Sequence, residues 1–261
     1  MRRNADAELG ALAFALGAFT LCSAGALVDG SPRTAVGDGL WPFVGAGLMA
    51  PGLSGILFTR AIRAAGPART SVVVGSAPLF AVVIAIALLD EPAKVPLLLG
   101  AVLIVGGGVL LLGERVRPAD FRLAGLWLAL GAATLFASRD NLVRWLAGDT
   151  DVPPLLAAAT AAGTAAAFIF VWISVTRRGP RFDSIRPFVP PALLAGCSYL
   201  SLFEAYYHGK VTVVSPLIAT EALFGVLASA VMLGRSELIG RRLVAGALLI
   251  VAGGILIGAF R

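Results

Sequence analysis

The chain has 261 residues, 58% of them hydrophobic and 14% charged, with a formal net charge of +6 and a mean hydropathy of +0.90. So much apolar surface cannot be folded around one soluble core, which excludes a water-soluble domain and requires lipid. The positive charge does not point to nucleic acid, because the Lys and Arg residues are scattered over the links between apolar runs, where they act as topology signals.

A backbone in lipid must satisfy its own hydrogen bonds, so apolar runs of roughly 20 residues predict helices; the roughly ten-residue alternation of a β-barrel strand is not the pattern. Nine such runs follow in chain order: 9–28, 40–62, 70–89, 95–112, 123–146, 154–175, 188–207, 211–233 and 243–259. The links are short, 89–95 and 207–211 being the tightest, so neighbouring helices form antiparallel hairpins and no soluble domain is inserted. Arg2 and Arg3 ahead of the first run, and Ala24 and Ala26 at its end, have the look of a secretory signal. Asp6, Glu8 and the repeat described next argue that this helix stays in the mature protein. Cys22 and Cys197 fall inside helices, where a thiol is a small buried hydrophobe, and no disulfide framework follows from two residues. One histidine and two separated cysteines offer no metal set, and no cofactor is expected.

The segment Gly100 to Gly108 (GAVLIVGGG) reappears as Gly246 to Gly254 (GALLIVAGG). Pro78-Leu79-Phe80 falls on Ala222-Leu223-Phe224, Ala61 on Ala205, Ser71 on Ser215, and the stretch holding Glu91 on that holding Glu237. The same register sets the first helix opposite 154–175 and leaves 123–146 unpaired, giving four helices against five. An odd number of spans separates equivalent helices, so the two copies enter the membrane from opposite sides. Such inverted repeats place a solute site near the midplane, at their interface.

These residues resemble the EamA-like branch of the drug/metabolite transporter superfamily over nearly the whole chain. The ordered signature is Leu57 to Arg63 (LFTRAIR), Gly66 to Arg69 (GPAR), Ser76 to Phe80 (SAPLF) and Asp90-Glu91-Pro92 in the first half. Glu221 to Phe224 (EALF) and Glu237 carry it in the second. The resemblance implies an all-α integral membrane protein of about nine transmembrane helices in two inverted repeats, residues 1–113 and 123–261. The first repeat lacks the opening helix that family members have. Ala222 replaces the family's proline, although Pro216 in the same helix can supply a bend. The function implied is a multi-pass plasma-membrane transporter of an amino-acid-like, amine or drug-like solute, working by alternating access as an exporter, with proton coupling open. The lipid bilayer and the solute are its partners, and a homodimer is left open. The rival classes are a non-transporting membrane scaffold and an integral-membrane enzyme. The enzyme would need a nucleophile, a metal cluster or paired acids, for which Glu204 and Glu221 are the only acid pair.

Fifteen of the 21 basic residues fall on one side of the predicted topology and six on the other, which places the N-terminus in the cytoplasm. The family pattern, with the opening helix missing, would place it outside.

Ionisable groups inside spans cost on the order of 3 kcal/mol each unless they face a cavity or a partner, so they are functional candidates. Glu221, with Gly225 and Ser229, forms a small or polar face; it binds a cationic or hydroxyl group, takes up a proton, or pairs structurally. Cys197, Ser201, Glu204 and His208 lie on one face of their helix. Glu204, His208 and Glu221 could relay protons, His titrating near neutrality, against the plainer reading of His208 as an interfacial side chain. Tyr199, Tyr206 and Tyr207 form a gate or an interface belt. In the unpaired helix Thr134, Ser138, Asn141 and Trp145 share a face, with Arg139 and Asp140 beside them; these two could bind a zwitterion, yet adjacent side chains diverge on a helix. The cavity is expected to be lined by Asn141, Glu204, Tyr207, Glu221, Ser138 and Ser201, with no catalytic residue and no metal ligand. Glycines 106–108, 253, 254 and 258 are read as close helix packing.

Overall fold

The computed structural model describes residues 7–30, 39–88, 95–113, 121–147, 150–176, 182–208, 214, 218, 220–233 and 240–260. The elements are helices: α1 (Ala7–Val28), α2 (Trp41–Gly47), α3 (Ser54–Ala65), α4 (Pro67–Val74), α5 (Ala77–Leu88), α6 (Val95–Leu112), α7 (Ala124–Leu146), α8 (Pro154–Thr176), α9 (Val189–His208), α10 (Glu221–Leu233) and α11 (Arg241–Phe260). Ala7–Val28, Trp41–Ala65, Pro154–Thr176, Ile185–His208 and Arg241–Phe260 are each long and apolar enough to cross a membrane, and α6 and α10 are shorter apolar helices. The chain is a multi-span α-helical membrane protein.

Two predicted helices are interrupted. The run 40–62 passes through a π-helical turn, Leu48–Leu53, in which Ala50 leaves the helical region at φ −149°, ψ 127°, and the Ala50–Pro51 peptide is cis. Pro51 has no N–H to continue the ladder. The run 70–89 is two helices, because Gly75 and Ser76 close α4 through bonds from Gly75 N to Ser71 O (2.9 Å) and Ser76 N to Val73 O (3.0 Å). The Ser76 hydroxyl donates to the same Val73 carbonyl at 2.6 Å, and Pro78 enters the first turn of α5. Of the run 211–233 the described helix is α10; Ser215, Pro216, Asp90-Glu91-Pro92 and Glu237 lie outside the described residues.

The helices group into two compact units, residues 1–59 with 139–209, and residues 60–138 with 210–261, so each unit draws on both halves of the sequence. In the first unit α1 packs against both α8 and α9. Leu9, Leu12 and Ala15 meet Ile56, Ala165, Ile169 and Ile173 in one buried cluster. Gly17 lies under the Ala192 carbonyl, Gly25 faces Leu155, and a Cβ on Gly163 would stand 2.9 Å from the Phe19 ring. Rising numbers on α1 meet falling numbers on α8, so the two run antiparallel. The α8 contact face is mostly alanine, Ala157, Ala158, Ala161, Ala162 and Ala165 being buried. That suits lipid, where apolar burial alone does not favour association and small residues let helices approach until van der Waals contact holds them.

In the second unit α6 and α11 meet through glycines. A Cβ on Gly107 would lie 2.6 Å from the Gly246 carbonyl oxygen, and one on Gly253 2.6 Å from that of Gly100. This pair is antiparallel too, as are α4 and α10, where Ser71 meets Gly225 and Gly75 meets Ala222. Arg242 donates to the Gly113 carbonyl, tying the start of α11 to the end of α6. The packing expected of the whole glycine triplet narrows to its middle member: Gly106 and Gly108 have nothing within 4 Å of an added Cβ. Leu98, Leu99, Val102, Val105 and Val109 on α6 are exposed, an apolar face suited to acyl chains.

Candidate solute site

The first unit holds five of the predicted site residues. On α9 the polar stripe Cys197, Ser201 and His208 is exposed and Glu204 half-buried, while the opposite stripe of Tyr199, Phe203 and Tyr206 is buried. His208 Nδ1 stands 3.3 Å from Glu204 Oε2, so the i, i+4 pair forms at the end of α9. The Tyr207 hydroxyl is buried with no hydrogen-bond partner among the described residues. Asn141 is half-buried on α7.

The second unit holds Ser138 and Glu221. The Ser138 hydroxyl donates to Thr134 O at 2.9 Å and that of Thr134 to Leu130 O at 3.0 Å, so both hydroxyls are engaged by their own helix. Of the face drawn through Glu221, Gly225 and Ser229, Ser229 is buried and bonds the Gly225 carbonyl, whereas Glu221 opens α10 as an exposed residue.

A buried polar cluster centres on Arg139. Its side chain is 4% exposed, and its Nε lies 2.7 Å from Asp140 Oδ1. Adjacent side chains do leave a helix in different directions, but the arginine stem is long enough to curl back to its neighbour. The guanidinium carbon sits 5.4 Å from the centroid of the Tyr199 ring, a cation–π contact that strengthens where water is excluded. The Tyr199 hydroxyl donates to the Ala50 carbonyl at 3.3 Å, an oxygen released from the helical ladder by the break before Pro51. Tyr199 packs on Phe203 at 5.0 Å between ring centroids, and the Tyr206 hydroxyl is hydrogen-bonded to Asp140. One turn on, Arg144 Nη1 donates to the Tyr206 carbonyl at 3.3 Å, holding the last turn of α7 beside the last turn of α9. The cavity residues expected from sequence did not include Arg139; the signal available was two charges inside an otherwise apolar span. Among the described residues no group of three His, Cys, Asp or Glu side chains could hold a metal ion.

A family model described as the EamA-like transporter family matches residues 5–113 and 123–259. The chain belongs to the EamA-like transporter family. That family is part of the drug/metabolite transporter superfamily, and its members are transporters rather than enzymes. The fold is similar to that of a solved structure described as a crystal structure of a protein, with a TM-score of 0.68 and 20% sequence identity, covering 98% of this chain and 88% of that one. No curated protein matches the chain by sequence. Transport as a general function, through a multi-span membrane fold, follows from the family match and the apolar helices.

Proposed function

We propose that the protein exports a small amino-acid-like, amine or drug-like solute across the plasma membrane by alternating access between two inverted repeats, residues 1–113 and 123–261, that together supply about nine spans. The observation that carries this reading is how repeat-equivalent helices pack. Gly100 meets Gly253 and Gly107 meets Gly246, and the repeat register carries Gly100 onto Gly246 and Gly107 onto Gly253. Each contact is therefore the other one seen from the second copy, as a two-fold relation between antiparallel copies requires. The antiparallel α1–α8 pair, equivalent in the same register, supports it as well. The solute is bound by Asn141, Glu204, Tyr207, Glu221, Ser138 and Ser201, with Glu221, Glu204 and His208 available to carry a proton, and the N-terminus is cytoplasmic. The test is a thermal-unfolding screen of the detergent-purified protein against amino acids, nucleosides, sugars, polyamines and cationic drugs, followed by flux of each hit in proteoliposomes. A ligand at about 100 times its Kd stabilises by about 2.7 kcal/mol. A hit that is also transported supports the reading; a hit that binds and never crosses would sink it.

A further inference from the structure

Charge in the second unit is one-sided. Among its described residues the basic side chains are Arg60, Arg63, Arg69, Arg122, Arg241 and Arg242, and the one acid is Glu221. The packing gathers the arginines at one end. Arg60 and Arg63 lie in the last two turns of α3, and Arg69, in the first turn of α4, stands 5.9 Å from the centroid of the Phe121 ring. The Arg122 N–H donates to the Ala64 carbonyl at 2.7 Å, which pins the start of α7 to the end of α3. The start of α11 joins them. A Cβ on Gly75 would stand 3.2 Å from Ile250 Cγ2, and one on Gly107 2.7 Å from Ile250 Cγ1, so α4, α11 and α6 pass one another at that level. Because α4 is antiparallel to α10, and α10 turns into α11 through the short link 234–240, α4 and α11 run parallel. From the shared level, Arg69, Arg242 and Gly113 all lie about 9–12 Å toward the same end at about 1.5 Å per residue, and Arg242 donates to the Gly113 carbonyl there. Glu221 sits away from it, beside the Ala222 that meets Gly75 at the far end of α4. In sequence the links 114–120 and 234–240 add three arginines and three acids, which leaves the basic excess in place.

Beside these arginines the surface turns apolar. Arg241 heads a single face of α11 with Val244, Leu248 and Ile255, at i, i+3, i+7 and i+14, and all four are exposed. On α7, Leu123 and Trp127 are exposed at i, i+4. An exposed tryptophan near the end of a span marks the headgroup level. Arg122 lies five positions before it, about 7 Å further out, within a headgroup layer about 5–7 Å deep on each side of the bilayer. We propose that this end of the second unit binds anionic phospholipid, with Arg63, Arg122 and Arg241 taking the headgroup phosphates and the apolar faces beside them taking the acyl chains. Arginine suits the task because its planar fork matches two phosphate oxygens at once. The partner is a lipid and not free phosphate, because free phosphate would use the arginines and leave the Val244, Leu248 and Ile255 face idle. The first unit has no such surface among its described residues, where the arginines are the buried Arg139, Arg144 on the Tyr206 carbonyl, and Arg186. The inference rests on the membrane fold and not on which solute is carried.

The experiment titrates the full-length protein, purified in a neutral detergent, with phosphatidylglycerol, with phosphatidylcholine of the same acyl chains, and with water-soluble glycerol phosphate, and follows the unfolding midpoint. Phosphatidylglycerol is expected to raise the midpoint at lower concentration than phosphatidylcholine. That preference should shrink as salt rises from about 0.1 M to about 1 M, over which the Debye length falls from about 10 Å to about 3 Å. Arg63→Gln, Arg122→Gln and Arg241→Gln should each weaken the apparent affinity for phosphatidylglycerol roughly fivefold, and the triple variant roughly a hundredfold, at the strength usual for an arginine beside an anionic surface. Arg186→Gln, an exposed arginine of the first unit, should leave it unchanged. The three side chains are exposed, and the salt titration of the wild-type protein tests the charge dependence even where a variant folds poorly. Equal response to the two lipids, a preference that ignores salt, or a preference intact in the triple variant overturns the proposal. A loss in Arg186→Gln as large as in Arg122→Gln overturns the assignment to the second unit, and an equal shift from glycerol phosphate replaces the lipid with a free phosphate.

Discussion

Three consecutive glycines on α6, Gly106, Gly107 and Gly108, should respond oppositely to the same substitution. At Gly107 an alanine Cβ would meet the Gly246 carbonyl oxygen at 2.6 Å and Ile250 Cγ1 at 2.7 Å, where ordinary contact begins at 3.4 Å. The shortfall of roughly 0.8 Å is against main chain on one side, so no rotamer change relieves it and α6 and α11 must part. A radial gap of about 0.5–1 Å forfeits a quarter to a half of each affected contact, and overpacking of this kind typically costs about 1–3 kcal/mol. At Gly106 and Gly108 an added Cβ meets nothing within 4 Å, so alanine there brings only its helix-propensity advantage of about 0.8–1 kcal/mol. The measurement is reversible unfolding in mixed micelles, or thermal unfolding in a fixed detergent, for the three single variants and for Gly253→Ala. Gly107→Ala and Gly253→Ala are expected below wild type by similar amounts, and Gly106→Ala and Gly108→Ala at or above it. Equal destabilisation by all three triplet variants would refute the reasoning, since it would mean the α6–α11 contact does not run through Gly107.

Tyr199→Phe keeps the ring beneath Arg139 and deprives the Ala50 carbonyl of its donor, so it should cost about 0.5–1.5 kcal/mol; Tyr199→Leu, which also loses the cation–π contact, should cost more, and equal losses in unfolding experiments would deny that contact any weight. Asp140→Asn leaves the Arg139 charge buried and uncompensated, with an expected loss of about 3–5 kcal/mol that the double R139Q, D140N variant largely recovers; a double variant as unstable as the single would show the pair is not the unit. Glu221→Gln is expected to abolish acidification-driven uptake in proteoliposomes while leaving solute exchange intact, and an unchanged response to the pH gradient would rule out coupling through this residue. Gly17→Ala should unfold or misassemble the α1–α9 contact, because its Cβ falls on the Ala192 carbonyl; near-wild-type expression and unfolding would contradict the packing described.

The helices were readable because apolar runs of membrane-spanning length have few other uses, and most described ends fall within a few residues of the runs. What was not readable was continuity. Pro51 sits in the middle of a 25-residue span, and proline in lipid is tolerated as often as it breaks, the outcome depending on whether a neighbour can take up the freed carbonyl. Tyr199, 149 residues away in sequence, does so. The site was legible as a set of faces but not as directions. Periodicity put Cys197, Ser201, Glu204 and His208 on one side of α9, and only packing showed that the buried side of that helix in its unit is the one carrying Tyr199, Phe203 and Tyr206. In a soluble protein polarity would have chosen between them; beside lipid it does not. The pairing of Arg139 with Asp140 was not legible for a related reason, since i, i+1 spacing describes where side chains leave the helix and not where a long one ends.

The membership of the two units has a consequence for synthesis. The first unit closes only when α9 has joined α1, and the second only when α11 has joined α6, so each is stitched from segments made early and late. While the ribosome is still translating α7, α1 must therefore wait in the bilayer with its interface to α8 unmet. Its glycine-and-alanine face would then be open to any neighbour offering small residues, which makes the nascent first half, rather than the finished protein, the form most dependent on a membrane chaperone or on swift elongation.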